Sequence, residues 1–489
     1  MKVQMELPEQ RDLIGGVRLA PAEDTRGWLT DPNDGRPIMP IRQSSSEQVS
    51  EALQVSAAVH AAHEWSESSW ETRAELLNRI AAGLDVRVDD IAMADCFNSG
   101  VPISITTMFA TGLGNVVRGA IAQLRAAHLN VELSGPERPV RLLRLPWGPV
   151  GVIVPFNAPS FIATKKTAYA LAAGAPVVCK PSASAPSGID IIADVIASAV
   201  EATHAPAGLF QLIHGAAAQG AALATDPRIR ALSFTGSRQT GYQIVRASAG
   251  DLKSLQLELG SNNPAIVRAD ADVDSAAAAL IDGFTKLNGQ WCESPGSVFV
   301  PKPMHDAIVD AILDRLALIQ VGSSLDKGTR FGPQANEGQR DHVISAISRL
   351  NAAGGHALSS TAVPTEGYFV APTILRDADP GETIEEIFGP VLTIHATRDD
   401  DESLALANSR ATGLAGYVFG TDQDEALRLG ARIDCGEVKV NSTSLLDLTE
   451  TSTQGFWGAS GIGAHGDAEL LQFFCGARIV GIDAPKLPL

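Results

Sequence analysis

Cys292 is the best-placed nucleophile candidate among the five cysteines of this 489-residue chain. It lies in Asn288-Gly289-Gln290-Trp291-Cys292-Glu293. A cysteine attacks carbonyl carbon once it forms a thiolate. A cysteine beside a tryptophan also reads as buried packing, and the local sequence leaves both open. Cys96, Cys179, Cys435 and Cys475 stand among apolar or loop residues with nothing to activate them, and read as structural. Glu258 comes just before Gly260 in an alternating run, Ser254 to Gly260, with Leu255, Leu257 and Leu259 on one face and Gln256 and Glu258 on the other. A carboxylate at a strand end serves as a general base or as an ordinary surface group. Asn157, in Pro155-Phe156-Asn157-Ala158-Pro159, follows the apolar run Val150 to Val154. Its amide either donates to a developing oxyanion or shapes a turn between prolines.

Three further segments suit a nucleotide. Lys180, in Val177-Val178-Cys179-Lys180-Pro181-Ser182, stands at a strand end, where its ammonium either holds a hydroxyl or phosphate or is merely solvated. Phe234-Thr235-Gly236-Ser237-Arg238-Gln239-Thr240-Gly241 joins a strand to a helix. Small residues there let backbone N–H groups approach a pyrophosphate at a helix N-terminus, although this is not the GxGxxG pattern. In Glu385-Glu386-Ile387-Phe388-Gly389-Pro390-Val391 a carboxylate suits a ribose and a Phe suits a planar ring. The plainer reading is a helix end stopped by Gly-Pro.

The elements that must position these residues follow from periodicity. Glu47–Trp65 and Glu71–Ala94 carry apolar residues at helical spacing, so the first part of the chain reads as helical. Asn130–Leu145 alternates and predicts exposed antiparallel strands, either a ribbon that pairs with another subunit or a surface hairpin. From Val150 onward short apolar runs alternate with helices. Strands are expected at 150–154, 176–179, 210–213, 231–234 and 254–259, and helices at 162–173, 188–202 and one opened by the Phe234–Gly241 stretch and running to about Ala247. A second series begins near Asn263, with helices at 270–284 and 305–318 and strands at 297–300, 369–371 and 391–395. The segment 470–482 reads as a late strand. Such alternation predicts an α/β fold of two lobes with parallel sheets, and ligands beyond the carboxyl ends of the strands.

Composition narrows the function. Hydrophobic residues make up 45% and charged residues 19%, as in ordinary globular proteins. The net charge of −18 repels phosphate backbones, which argues against nucleic-acid binding but allows a local pocket for one small anion. The odd, widely spaced cysteines without a CxxC predict a reducing, cytoplasmic setting and no metal site. The N-terminal residues show no secretory pattern. The longest apolar stretch, Ala168 to Cys179, is broken by Gly174 and Pro176 and falls short of the roughly 20 residues that span a bilayer; no membrane association is expected.

Taken together and in order, Asn157, Lys180, the Phe234–Gly241 turn, Glu258, Cys292 and the Glu385–Val391 run resemble the successive signatures of the aldehyde dehydrogenase superfamily, of the hydrolytic type that does not acylate coenzyme A. The resemblance covers nearly the whole chain. It implies an aldehyde dehydrogenase-like α/β fold with a Rossmann-type coenzyme domain (1–131 and 147–258), an α/β catalytic domain (259–447) and a small β-rich oligomerisation element (132–146 and 448–489). It implies a homodimer or homotetramer that oxidises an aldehyde with NADP or NAD. By resemblance Cys292 is the nucleophile, Asn157 the oxyanion donor and Glu258 the base for thioester hydrolysis. Lys180 and Ser237 meet the adenosine ribose and pyrophosphate, Glu386 the nicotinamide ribose and Phe388 the nicotinamide. Pro155, Phe156, Ser182, Ala183, Phe234, Gly236 and Gly241 complete the coenzyme's surroundings.

The sequence departs from the family pattern at three places. Phe156 stands for the common Trp before the oxyanion Asn. Ala183 stands where NAD-preferring members often carry a Glu against the adenosine ribose; without that carboxylate a 2′-phosphate meets less repulsion, so NADP acceptance is expected. His465 replaces a Glu in the degenerate late signature Ser460-Gly461-Ile462-Gly463-Ala464-His465. For the substrate, Trp291 suits an apolar or aromatic aldehyde. Lys165 aligns with an Arg of relatives acting on carboxylated semialdehydes, or is a surface lysine. Phe161, Ile162 and Phe456 are expected in the tunnel. Two other readings compete: a non-catalytic binding or structural protein that retains the fold, and a thioesterase-like hydrolase using Cys292 without redox chemistry.

Overall fold

The computed structural model describes residues 7–127, 129–133, 138–449 and 451–483. Two sheets organise the chain. The first has eight strands in the order Val17–Leu19, Asp12–Ile14, Phe210–Leu212, Val177–Lys180, Val150–Ile153, Ala231–Gly236, Ser254–Leu259, Gly461–Ile462. Its five strands from Phe210–Leu212 to Ser254–Leu259 are parallel; Asp12–Ile14 on one side and Gly461–Ile462 on the other run antiparallel to them, and Val17–Leu19 pairs antiparallel with Asp12–Ile14. The four strands from Phe210–Leu212 to Ala231–Gly236 are almost wholly buried, which is why they read as short apolar runs, whereas Ser254–Leu259 alternates and is half-buried at Ser254, Leu255 and Glu258. The second sheet has seven strands: His356–Leu358, Thr373–Arg376, Val391–Thr397, Pro295–Pro301, Asn263–Val267, Ala415–Phe419, Glu437–Val440. All its pairings are parallel except the first.

Helices Pro159–Ala173 and Ser187–Thr203 cover the first sheet and bury Tyr169, Leu171, Ile189 and Ile192 against Val152, Val177 and Leu212. Helices Val273–Thr285 and His305–Leu316 do the same for the second, through Leu280, Phe284, Ile308 and Ile312. Each such aliphatic or aromatic side chain taken from water contributes about 1.5–3 kcal/mol, so these faces fix which way the strand ends point. A separate three-stranded sheet pairs Cys475–Gly481 with Val140–Pro146 and that strand with Asn130–Glu132. The expected ribbon is therefore present, though its tip, 134–137, lies outside the described residues.

Several expectations are corrected. The first part is not purely helical: Asp12–Ile14, Val17–Leu19, Glu23–Thr30 and Pro37–Gln43 are strands. The first two are joined by Gly15 and Gly16 at positive φ and are too short to show a period. The helix expected at 71–94 is two, Trp70–Asp85 and Val88–Ser99. The apolar residue at the break, Val86, is exposed, while Leu76, Leu77 and Leu84 before it and Ile91 and Cys96 after it are buried. Phe369 and Val370 are buried and Ala371 half-buried, but 369–371 is not a strand. Pro372 has no N–H for the ladder, so the strand starts at Thr373. The late segment is a helix, Asp467–Phe473, followed by the strand Cys475–Gly481. Its Leu-Leu-Gln-Phe-Phe run fits either element by pattern, and only packing decides.

Candidate active site

The nucleophile segment is held in a conformation that only a dense hydrogen-bond framework sustains. Leu287, Asn288 and Gly289 have φ of 50°, 60° and 80°, three left-handed residues in succession, and such backbone persists only where the surroundings over-determine it. Here Asn288, fully buried, donates to the Gly100 and Pro333 carbonyls at 2.8 and 2.7 Å and accepts from the Gly332 N–H at 2.7 Å. Gln290 donates to Ser99 and Leu287 carbonyls and accepts from Ala335 N–H. A Cβ at Gly289 would come within 2.2 Å of the Gly389 carbonyl carbon, so the loop also fits against Gly389-Pro390 only as glycine. Beyond it Asn263 donates to the carbonyls of Cys292 and Ser294 at 2.8 and 2.9 Å. Cys292 is left half-buried.

The strand ends of the first sheet deliver the partners. Asn157, just beyond Val150–Ile153, donates from Nδ2 to the Gln290 carbonyl at 3.0 Å. An amide NH₂ carries two donors, so the second remains for an oxygen near Cys292. Glu258 is only 11% exposed, with Lys166 Nζ and His465 Nδ1 each 3.6 Å from its Oε2 and the Thr235 hydroxyl at 3.4 Å. Burial raises its carboxyl, but His465, Lys166 and Lys165 more than offset this and hold it at about 2. Glu258 is thus ionised at neutral pH. The Cys292 thiol is driven well above its ordinary value by burial, with Glu258, Glu293 and Glu386 adding to the effect. Lys166 is buried, which brings its ammonium down to about 8 against the opposing pull of Glu258, and it donates to Gln256 Oε1 at 3.0 Å.

The nucleotide-type residues come from the strand ends of the first sheet and from the 385–391 segment. Lys180 is buried and donates from Nζ to the Pro181 and Gly215 carbonyls at 2.8 and 2.9 Å; burial brings it down to about 8. Ser182 and Ala183 lie half-buried just after it. Phe234 is buried and its ring fills the space beside Gly236. Ser237 caps helix Arg238–Ser248, accepting from Thr240 N–H at 3.3 Å. Gly241 lets that helix close on Leu259, which a Cβ would meet at 2.6 Å. From the second lobe, Glu386 reaches over Gly260, and burial raises its carboxyl to about 8, with the Ser261 N–H and Arg238 opposing. Its Oε1 is sealed from solvent without a hydrogen-bond partner. Arg238 pairs with Glu385 across the cleft. The Phe388 and Phe156 rings meet edge to face at 5.8 Å, and Phe156 follows the half-buried Pro155.

The substrate-side residues are less uniform. Phe161, half-buried like Ile162, packs on Phe109 with ring centroids 5.6 Å apart. Phe456 is buried. Trp291 is buried under Lys286, which lies 5.4 Å from its ring, and borders a cavity shared with Ser261, Glu386 and Phe388. Lys165 is no surface lysine: it is 10% exposed and bound to Asp467 at 3.2 Å.

Asn263, Asn288 and Gln290 were not singled out from sequence. Nor was a buried cluster in which His214 contacts Asp12 and Asp190, each at 3.1 Å. Only His214, which ends the largely apolar run Leu209–Ile213, carried a signal in the sequence, since buried polar groups must be hydrogen-bonded. No cluster of His, Cys, Asp and Glu that could hold a metal occurs among the described residues, and no helix among them is long and apolar enough to cross a membrane.

Comparison with known proteins agrees with this arrangement. The profile of the aldehyde dehydrogenase family matches residues 20–480. Geranial dehydrogenase of Castellaniella defragrans is 31% identical over 89% of this chain and 92% of its own. The 2-hydroxymuconic semialdehyde dehydrogenase of a Pseudomonas species is 30% identical over 96% and 98%. Betaine aldehyde dehydrogenase of Staphylococcus aureus, solved in complex with NAD⁺, superposes with a TM-score of 0.92 at 25% identity, covering 99% of this chain and 96% of that one. On profile, sequence and fold alike, this chain belongs to the aldehyde dehydrogenase family, enzymes that oxidise aldehydes with NAD(P)⁺.

Proposed function

We propose that Cys292, Asn157 and Glu258 carry out aldehyde oxidation as nucleophile, oxyanion donor and hydrolytic base, in a coenzyme cleft lined by Lys180, Ser237, Glu386, Phe156 and Phe388. The observation that carries this reading is the Oε1 of Glu386, a buried carboxyl oxygen without a hydrogen-bond partner on a residue that lines the cavity with Ser261, Trp291 and Phe388. A buried carboxyl oxygen without a partner is costly, and a ribose hydroxyl, which both donates and accepts, supplies one. The cleft fits a nicotinamide dinucleotide in other respects. Lys180 has spent two of its three N–H donors on carbonyls and keeps one. When bound, the coenzyme supplies the hydride acceptor. Cys292 Sγ adds to the aldehyde carbon, and the second Asn157 N–H with the Cys292 backbone N–H stabilises the oxygen that gains charge. After oxidation the acyl group is a thioester on Cys292, and Glu258 takes a proton from the water that hydrolyses it.

Ala183 leaves the adenosine end without a carboxylate, which supports acceptance of NADP. The binding of Lys165 to Asp467 leaves it uncommitted to a substrate anion, which supports an apolar aldehyde alongside Phe161 and Phe456. The domain division 1–131 with 147–258, 259–447, and 132–146 with 448–489 is part of the same reading. So is a homodimer or homotetramer in the cytoplasm: the exposed Ile479, Val480 and Ile482 on the last strand and just beyond it give a sheet surface suited to a second copy. An absorbance assay of NADPH and NADH formation over apolar and carboxylated aldehydes tests the reading. Preferential turnover of apolar aldehydes with NADP supports it; strong NAD preference or a carboxylated favourite removes the corresponding part.

A further inference from the structure

The tail of the chain returns to the site through His465, on the short strand Ala464–His465 that pairs with Gln454–Gly455. Its Nε2 lies 3.4 Å from Lys165 Nζ, and its Nδ1 lies 3.6 Å from Glu258 Oε2. Nδ1 is buried and has no hydrogen-bond partner within bonding length. A lysine ammonium has donors and no acceptor, so Nε2 must accept from Lys165, and the single ring proton stands on Nδ1. Lys165 is in turn neutralised by Asp467 at 3.2 Å. The result is a directed chain from Asp467 through Lys165 and His465 to Glu258.

We propose that His465 is a positioning residue for Glu258, presenting Nδ1–H to the carboxylate so that the base stays ionised and aimed at the acyl group on Cys292 during hydrolysis. This rests on the roles of Glu258 and Cys292 given above. In that step the water oxygen bonds to the acyl carbon, the C–S bond breaks with its electron pair passing to Sγ, and the water's proton goes to Glu258. A base that rotates away or is already protonated cannot take it. Other groups face Glu258 from every side. Lys165 and Lys166 come from helix Pro159–Ala173, Thr235 from the neighbouring strand, and Cys292 and Glu293 from the nucleophile segment. Thr235 gives its hydroxyl proton to Glu258, Lys166 divides its ammonium between Gln256 and Glu258, and Lys165 is drawn to Asp467, so His465 is the further donor that the tail of the chain adds to this carboxylate.

The test is the decay of the acyl-enzyme after a single turnover, followed by rapid quench and mass spectrometry across pH, in wild type, His465→Leu and His465→Gln. His465→Leu is expected to form the acyl-enzyme at the wild-type rate and to lose it about tenfold or more slowly, with the acid limb of the decay moving up by about one pH unit. His465→Gln offers a carbonyl to Lys165 and an amide N–H to Glu258, and is expected to restore most of the rate. Unchanged decay and pH profile in His465→Leu overturn the proposal, as does equal impairment of Gln and Leu at equal Tm, which marks His465 as packing only. A wild-type enzyme that never acylates overturns the reading of Cys292 as well; normal acylation with unaltered decay in His465→Leu overturns this proposal alone.

Discussion

Lys180 donates its Nζ–H to the carbonyl of Gly215 at 2.9 Å. That carbonyl follows His214, whose N–H is bound by Asp12 at 3.1 Å and Ser44 at 2.9 Å, and whose ring is clasped between Asp12 and Asp190. The position of the ammonium therefore depends on the N-terminal strand Asp12–Ile14, far from it in sequence. Burial places the Lys180 ammonium at about 8 instead of its ordinary 10.5. Its charge is present below that value and lost above it, so coenzyme affinity should fall as pH rises through 8. Coenzyme Kd measured by fluorescence titration from pH 6.5 to 9.5 checks this, and Lys180→Met should bind about tenfold more weakly with the pH dependence gone.

Glu258→Gln should keep the first burst of NAD(P)H and slow steady-state turnover by about 10²–10⁴-fold. Stopped-flow absorbance separates the two phases. An unaltered steady-state rate would remove Glu258 from its role.

Asn157→Ala should lower kcat by about 10²–10³-fold, the usual loss for one oxyanion donor. It also frees the Gln290 carbonyl. Asn157→Asp retains the shape but not the NH₂, and should be as slow; recovery of activity in that variant would argue against oxyanion donation.

Asn263→Ala leaves the carbonyls of Cys292 and Ser294 without their donor. The expected cost is about 1–3 kcal/mol of stability, read by chemical denaturation. A further loss of acylation rate, out of proportion to the unfolded fraction at assay temperature, is expected because the backbone N–H of Cys292 shifts. Equal acylation per folded molecule would refute it.

His214 is buried, which lowers its imidazole, but Asp190 and Asp12 reverse this and raise it to about 9. The folded value exceeds the ordinary 6.5, so the charge contributes stability that is fully present below about 6.5 and is lost as pH rises through 9. Replacing His214 by Leu leaves the buried Asp12 without its cation while Asp190 keeps Arg18 at 3.3 Å, at a cost of about 3–5 kcal/mol. Calorimetric Tm at pH 6 and pH 9.5 should fall in wild type between the two and change less in the variant.

The alternation of short apolar runs with helical stretches made the parallel sheets legible, because a strand covered on both faces must be apolar throughout. The strand-end positions of Asn157 and Lys180 followed from those runs, and that of Glu258 from the alternation of Ser254–Leu259. The edges were less legible. Asp12–Ile14 is too short for a period to show, and Leu470–Ile482 has a composition that suits helix and strand equally.

Residue type and order along the chain were enough to name Cys292, Glu258 and Asn157 as chemically capable and to point to the family. What the linear order could not decide is the protonation and reach of those groups. The ionised state of Glu258, the bound state of Lys165 and the orphaned oxygen of Glu386 depend on neighbours drawn from distant segments. Charge–charge energies and hydrogen bonds vary with ångströms and with exclusion of water, and folding alone sets both.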